Sequence, residues 1–151
     1  MKLIDVSVPL DSNTPTYPGN TPFHVEAIKR LANGDSSNVS TLHLSAHAGT
    51  HVDAPRHFFD EGPGAEQLSL EMLCGRARVI ELTTRKGVTP DDLAAFDLTE
   101  DVRLLIKTHN SKLWRSPVFH DDYIGVTEPA ARFLVGVVRS GVPIPRLGRT
   151  V

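Results

Sequence analysis

VSTLHLSAHAGTHVDA, residues 39–54, alternates between two kinds of residue for most of its length. Even positions carry Leu42, Leu44, Ala46, Ala48, Thr50, Val52 and Ala54, and odd positions carry His43, Ser45, His47, Gly49, His51 and Asp53. A period of two belongs to an extended strand with one apolar face, so the pattern predicts a strand through Ala54 and a β-rich first half of the chain. A helix fits less well. It would align His47 with His51 but swing Asp53 away, and it would have to tolerate Gly49 and the β-favouring run Thr50, His51 and Val52. Pro55 should end the alternation.

If the strand reading holds, His47, His51 and Asp53 share one face, and Gly49 between them leaves room for a group to approach the backbone. Neutral imidazoles and a carboxylate are ligands that zinc or manganese accepts, and three protein ligands with an open position are the usual catalytic arrangement. The same residues also suit a solvated strand face whose histidines are satisfied by hydrogen bonds, and the pattern alone leaves both readings open. His57 follows Asp53 beyond Pro55, near such a site without being a ligand. There it would act as acid-base toward metal-activated water, orient a ligand, or be a plain loop histidine. His43 lies on the same face and reads as structural or supporting, His109 and His120 read as surface residues, and His24 carries no assignment.

The chain has 151 residues, 40% apolar and 23% charged, with a net charge of -2, which predicts one globular domain over 1–151 and no nucleic-acid footprint. Cys74 is the single cysteine, so an internal disulfide and a cysteine zinc cluster are excluded, and it reads as a small apolar residue near a strand start. No apolar run reaches membrane length and MKLIDVSVPL has no signal-peptide core, so a soluble cytoplasmic protein with no membrane partner is expected.

Leu3–Val8 reads as a strand and DSNTPTYPGNTP as a long loop in which Tyr17 offers an aromatic ring to a ligand. Phe23–Leu31, Arg78–Thr83 and Arg103–Thr108 read as strands, the last of them central, and Ser69–Leu73 as a helical turn. Thr89 before Pro90, Asp91 and Asp92 starts a helix to about Phe96, and Thr127 before Glu128 and Pro129 starts another through Val135. Trp114 and Phe119 read as pocket lining or as cover for the core. The succession is mixed α and β, hence α/β. No Gly-x-Ser-x-Gly elbow, phosphate loop or dinucleotide fingerprint occurs.

HAGTHVDAPRHF, residues 47–58, resembles the His-x-Gly-Thr-His-x-Asp-x-Pro-x-His-Phe signature of the cyclase-like metal hydrolases, a family that includes arylformamidases and isatin hydrolases. IDVSVPL, TPTYPGNTPF, KTHNSKLW and DDYIGVTEPAARFL extend the likeness to about residues 3–135. The resemblance implies a single compact cyclase-like α/β domain with a β-rich core and flanking helices. It implies zinc or manganese on His47, His51 and Asp53, His57 as the catalytic acid-base, and Tyr17 at the substrate pocket. The implied reaction is hydrolysis of an amide or cyclic amide bond in a small, often aromatic molecule, by a homo-oligomer of two or more chains.

Family members are usually longer and supply a further histidine and glutamate to the metal. Here GVVRSGVPIPRLGRTV, residues 136–151, reads as a divergent tail, and a truncation or frame change near residue 136 is expected. That expectation opens a second functional reading: a catalytically impaired family member acting as a metal-binding or oligomerising subunit.

Overall fold

A computed structural model describes residues 3–98 and 103–137. They fall into two compact units. The first runs to His51 and takes in Trp114–Asp121; the second holds Val52–Leu113 and resumes at Asp122.

The first unit is built on a hairpin. Strands β1 (His24–Lys29) and β2 (Val39–His43) pair antiparallel, with His24 opposite His43 and Val25 opposite Leu42, and the register shifts between Ala27 and Lys29. The turn between them is closed by side chains: Asp35 Oδ2 accepts from the Arg30 N–H at 2.7 Å and Asn38 Oδ1 from the Leu31 N–H at 3.0 Å. Gly34 takes the left-handed conformation at φ 86°, which a glycine adopts without steric cost.

Two strand expectations fail in this unit. Leu3–Val8 forms no ladder, because Asp5 takes the Ser7 N–H at 2.8 Å in a local turn that competes with strand pairing. The Ser7 hydroxyl and N–H also hold the Asp5 carboxyl below its ordinary pKa. The strand predicted through Ala54 ends at His43. Ser45 stops it: its Oγ accepts from the His47 N–H at 3.2 Å and its carbonyl from the Ala48 N–H at 3.0 Å, which closes a turn where the pleat would have continued.

The second unit contains the core. Strands β3 (Arg78–Glu81) and β4 (Leu104–Lys107) pair parallel in the register Arg78 to Leu104 through Glu81 to Lys107. Parallel neighbours require a crossover, and the connection carries helix α2 (Pro90–Ala94). Inward side chains alternate along the strands, so Ile80 and Ile106 face the core while Val79 and Leu105 are exposed. Among the described residues β4 pairs with β3 alone and is not the central strand that its apolar sequence predicts.

Helix α2 starts as predicted. Thr89 Oγ1 accepts from the Asp92 N–H, and the Asp92 carboxylate accepts in return from the Thr89 N–H at 2.8 Å and hydroxyl at 2.7 Å, a reciprocal capping box. Those two donors, the backbone N–H first, hold the Asp92 carboxyl below its ordinary pKa. Helix α4 (Glu128–Val137) presents Ala130, Phe133, Leu134 and Val137 to the core at the spacing of one helical face. Its start is fixed by Thr127, whose hydroxyl donates to the Val88 carbonyl at 2.7 Å and whose carbonyl accepts from the Ala131 N–H at 2.9 Å.

The two short helices differ in what they do. Helix α1 (Leu70–Leu73) is capped by Ser69 and ends at Cys74, which is exposed at the helix end rather than packed at a strand start. Helix α3 (Asn110–Leu113) begins with Asn110, whose amide donates to the Ile124 carbonyl at 2.9 Å and accepts from its N–H at 2.7 Å, as a neighbouring strand would.

Leu93 is the best-buried large side chain, at 0% exposure among Ile80, Leu82, Val88, Leu98, Ile124, Ala130 and Leu134. Truncating it removes its transfer free energy and leaves a cavity, so Leu93→Ala should cost about 2–5 kcal/mol. Urea unfolding should show that loss as a lower midpoint with an unchanged slope.

Candidate metal centre

Residues 44–54, which follow β2, form a loop of turns that ends at the buried Ala54. His47, His51 and Asp53 are half-buried there, and each offers a ligand atom within 4.8 Å of the others. The sequence predicts that these three side chains converge. They do so through a turn rather than through the pleat of a strand, and their mutual placement is set by seven consecutive residues.

The turn depends on Gly49. Its φ is +62°, in the left-handed region, and a Cβ there would lie 2.5 Å from Leu10 Cδ2 and 3.4 Å from Val8 Cγ2. A side chain would be strained by the backbone and crowded by its neighbours. Thr50 fixes the same edge, its Oγ1 accepting from the Val8 N–H at 3.0 Å. The Gly-Thr pair thus seats the loop against residues 8–10.

The Gly49 carbonyl lies 2.9 Å from His51 Nδ1. A carbonyl only accepts, so Nδ1 carries the proton, and in a neutral ring Nε2 keeps a lone pair. That Nε2 lies 3.2 Å from His47 Nδ1, with the ring centroids 5.1 Å apart and the planes at 76°. Two nitrogens bound to one zinc at about 2.0 Å with tetrahedral angles stand roughly 3.3 Å apart. The pair is therefore spaced as the edge of a ligand tetrahedron, one tautomer is fixed by an outer hydrogen bond, and the nearby carboxylate of Asp53 brings negative charge. The donor set fits a divalent ion.

His57 ends the turn Pro55–His57, is exposed, and packs its ring edge-on against Phe58 with centroids 4.5 Å apart. Tyr17 opens a tight turn over Pro18 and Gly19, with the Asn20 N–H donating to the Tyr17 carbonyl at 3.0 Å and Gly19 at φ 90°, the pattern of a type II turn. Its ring is exposed and meets Phe119 edge to face at 5.1 Å and 75°. Sequence reading left Phe119 as pocket lining or cover; nothing in the spacing pairs it with Tyr17. His109 is exposed as predicted, whereas His120, read as a surface residue, is half-buried. His43 has its Nε2 3.0 Å from Glu26 Oε2 across the hairpin.

The Cyclase family model, described as "Putative cyclase", matches residues 4–142. The chain belongs to the cyclase family. The match enters the stretch 136–151 that reads as divergent, and residues 138–151 lie outside the described ones.

Curated relatives in this family include the kynurenine formamidase of Geobacillus thermodenitrificans, 37% identical over 145 residues, covering 94% of this chain and 68% of the relative. The kynurenine formamidase of Bacillus mycoides is 35% identical over 144 residues with the same coverage, 94% and 68%. A solved structure described as a "Potential Metal-Dependent Hydrolase With Cyclase Activity" aligns with a TM-score of 0.67 at 28% identity, over 89% of this chain and 64% of that one. The chain thus spans about two thirds of the length of these cyclase-family proteins. The mixed α/β fold expected from the sequence is the cyclase-like fold. The curated relatives are named as kynurenine formamidases and the solved structure as a metal-dependent hydrolase.

Proposed function

We propose that this chain hydrolyses a formamide bond in a small aromatic molecule, with a divalent metal, zinc or manganese, held by His47, His51 and Asp53. The observation that carries the reading is the 3.2 Å approach of His47 Nδ1 to His51 Nε2, with the His51 tautomer fixed by Gly49. The names of the cyclase-family relatives supply the bond type. In the reaction water adds to the formyl carbon, the C–N bond breaks, and formate and an amine leave. A bound divalent ion would supply Lewis acidity toward the carbonyl and lower the pKa of water.

The other roles belong to side chains of this chain. His51 turns Nε2, the nitrogen that carries the lone pair, toward His47 because its Nδ1–H donates to the Gly49 carbonyl. His57, exposed at the end of its turn, takes a proton from the attacking water and returns one to the departing nitrogen. Tyr17, braced by Phe119, offers a ring face for an aromatic substrate to stack on. We take the protein to be soluble, cytoplasmic and homo-oligomeric; no helix among the described residues is long and apolar enough to cross a membrane.

The test is release of formate from an N-formyl arylamine by the chain loaded with zinc or with manganese. Turnover that a chelator abolishes and metal restores is the expected result. Metal retained without turnover on any formamide or cyclic amide would replace this reading with that of a metal-binding or oligomerising subunit.

A further inference from the structure

We propose that one face of the β1–β2 hairpin is a second divalent-cation site, made by His24, Glu26 and His43, which takes a late first-row ion such as zinc, nickel or copper(II). His24 and His43 are directly opposite each other across the ladder, and Glu26 is two positions from His24, so all three project from the same face. None of them belongs to the loop at 44–54. The Glu26 carboxylate oxygen already stands 3.0 Å from His43 Nε2, close to the roughly 3.3 Å that separates two ligand atoms on one tetrahedral ion.

The two imidazoles have their centroids 5.8 Å apart with planes tilted by 32°. Zinc–nitrogen bonds of about 2.0 Å place two coordinated rings at a centroid separation of roughly 5 Å. The His47–His51 pair stands at 5.1 Å against 5.8 Å on the hairpin, so the hairpin pair is wider by about 0.7 Å. His24 is exposed, so its side chain has room to change rotamer and bring the ring toward His43 with the backbone in place. The donor set of two imidazoles and one carboxylate selects zinc, nickel or copper over calcium or magnesium, which prefer all-oxygen sites.

The placement gives such an ion a consequence. Every residue of β1 and β2 is exposed, and a two-stranded hairpin is marginally stable by itself. An ion bridging His24 on one strand and His43 on the other ties the strands together and stabilises the paired form by mass action. His43 is also the last residue of β2, immediately before the loop that carries His47 and His51, so hairpin order is order at the start of that loop.

Zinc or nickel titrated into the His51→Ala chain tests this apart from the loop site. Equilibrium dialysis with elemental analysis should find one saturable equivalent, and the His24 and His43 imidazole NMR signals should shift with it. In the unaltered chain the same ion should appear as a second, weaker equivalent. His24→Ala and His43→Gln should each weaken it at least about tenfold, E26Q should weaken it less, and circular dichroism should remain that of the folded chain. No saturable equivalent, or one that His24→Ala and His43→Gln leave unchanged, overturns the proposal. Neither result depends on whether the chain turns over a formamide.

Discussion

In the His51→Ala chain, the tightly held zinc or manganese should fall from near one equivalent to near none, leaving only the weaker hairpin equivalent, and metal-dependent turnover should disappear with it. The substitution removes one of two imidazoles whose nitrogens approach to 3.2 Å. It also removes the hydrogen bond to the Gly49 carbonyl that fixes the tautomer. Losing an outer hydrogen bond alone commonly costs about 10–100-fold in metal affinity, and losing the ligand itself costs more. His51 is only half-buried, so its removal should leave the fold in place, with about 1 kcal/mol of stability lost for the hydrogen bond. Elemental analysis of protein dialysed against a metal buffer gives the stoichiometry, and circular dichroism on the same sample reports the fold. Metal content equal to that of the unaltered chain would remove His51 from the ligand set and with it the geometry on which the formamidase reading stands.

How the three loop residues come together shows what a one-dimensional pattern carries. The alternation over 39–54 correctly put His47, His51 and Asp53 side by side, yet only its first five residues are a strand, Val39–His43. The polar set was legible because metal-binding residue types cluster at short spacing. The backbone that gathers them was not, since Ser45 and Gly49 act through a local turn and a contact with Leu10 from a distant segment. Helix starts were legible for the opposite reason. The Thr89–Asp92 box and the Thr127 cap are closed by neighbours in sequence, so the residues that specify them lie together. Leu3–Val8 looked like a strand by composition and lacks a ladder, because pairing is a property of two segments and sequence shows one at a time. The pairing of Tyr17 with Phe119 and the clamp of Asn110 on Ile124 are likewise facts of folding at long range.

His57→Ala should keep its metal and lose about 10²–10⁴-fold in kcat, the range associated with removing a positioned acid-base group. The side chain is exposed, so truncation should change stability little. What separates a proton-transfer role from a structural one is how the loss depends on the leaving group. An amine that departs poorly needs its nitrogen protonated as the C–N bond breaks, whereas a strongly electron-withdrawing aryl group lets it leave with less help. The defect of His57→Ala should therefore shrink across a series of N-formyl anilides as the leaving amine becomes less basic, while KM changes little. Added imidazole should restore part of the rate for the poorest leaving groups. A uniform loss across the series, or a loss accompanied by lower metal content, would instead make His57 a residue that positions the loop and its ligands.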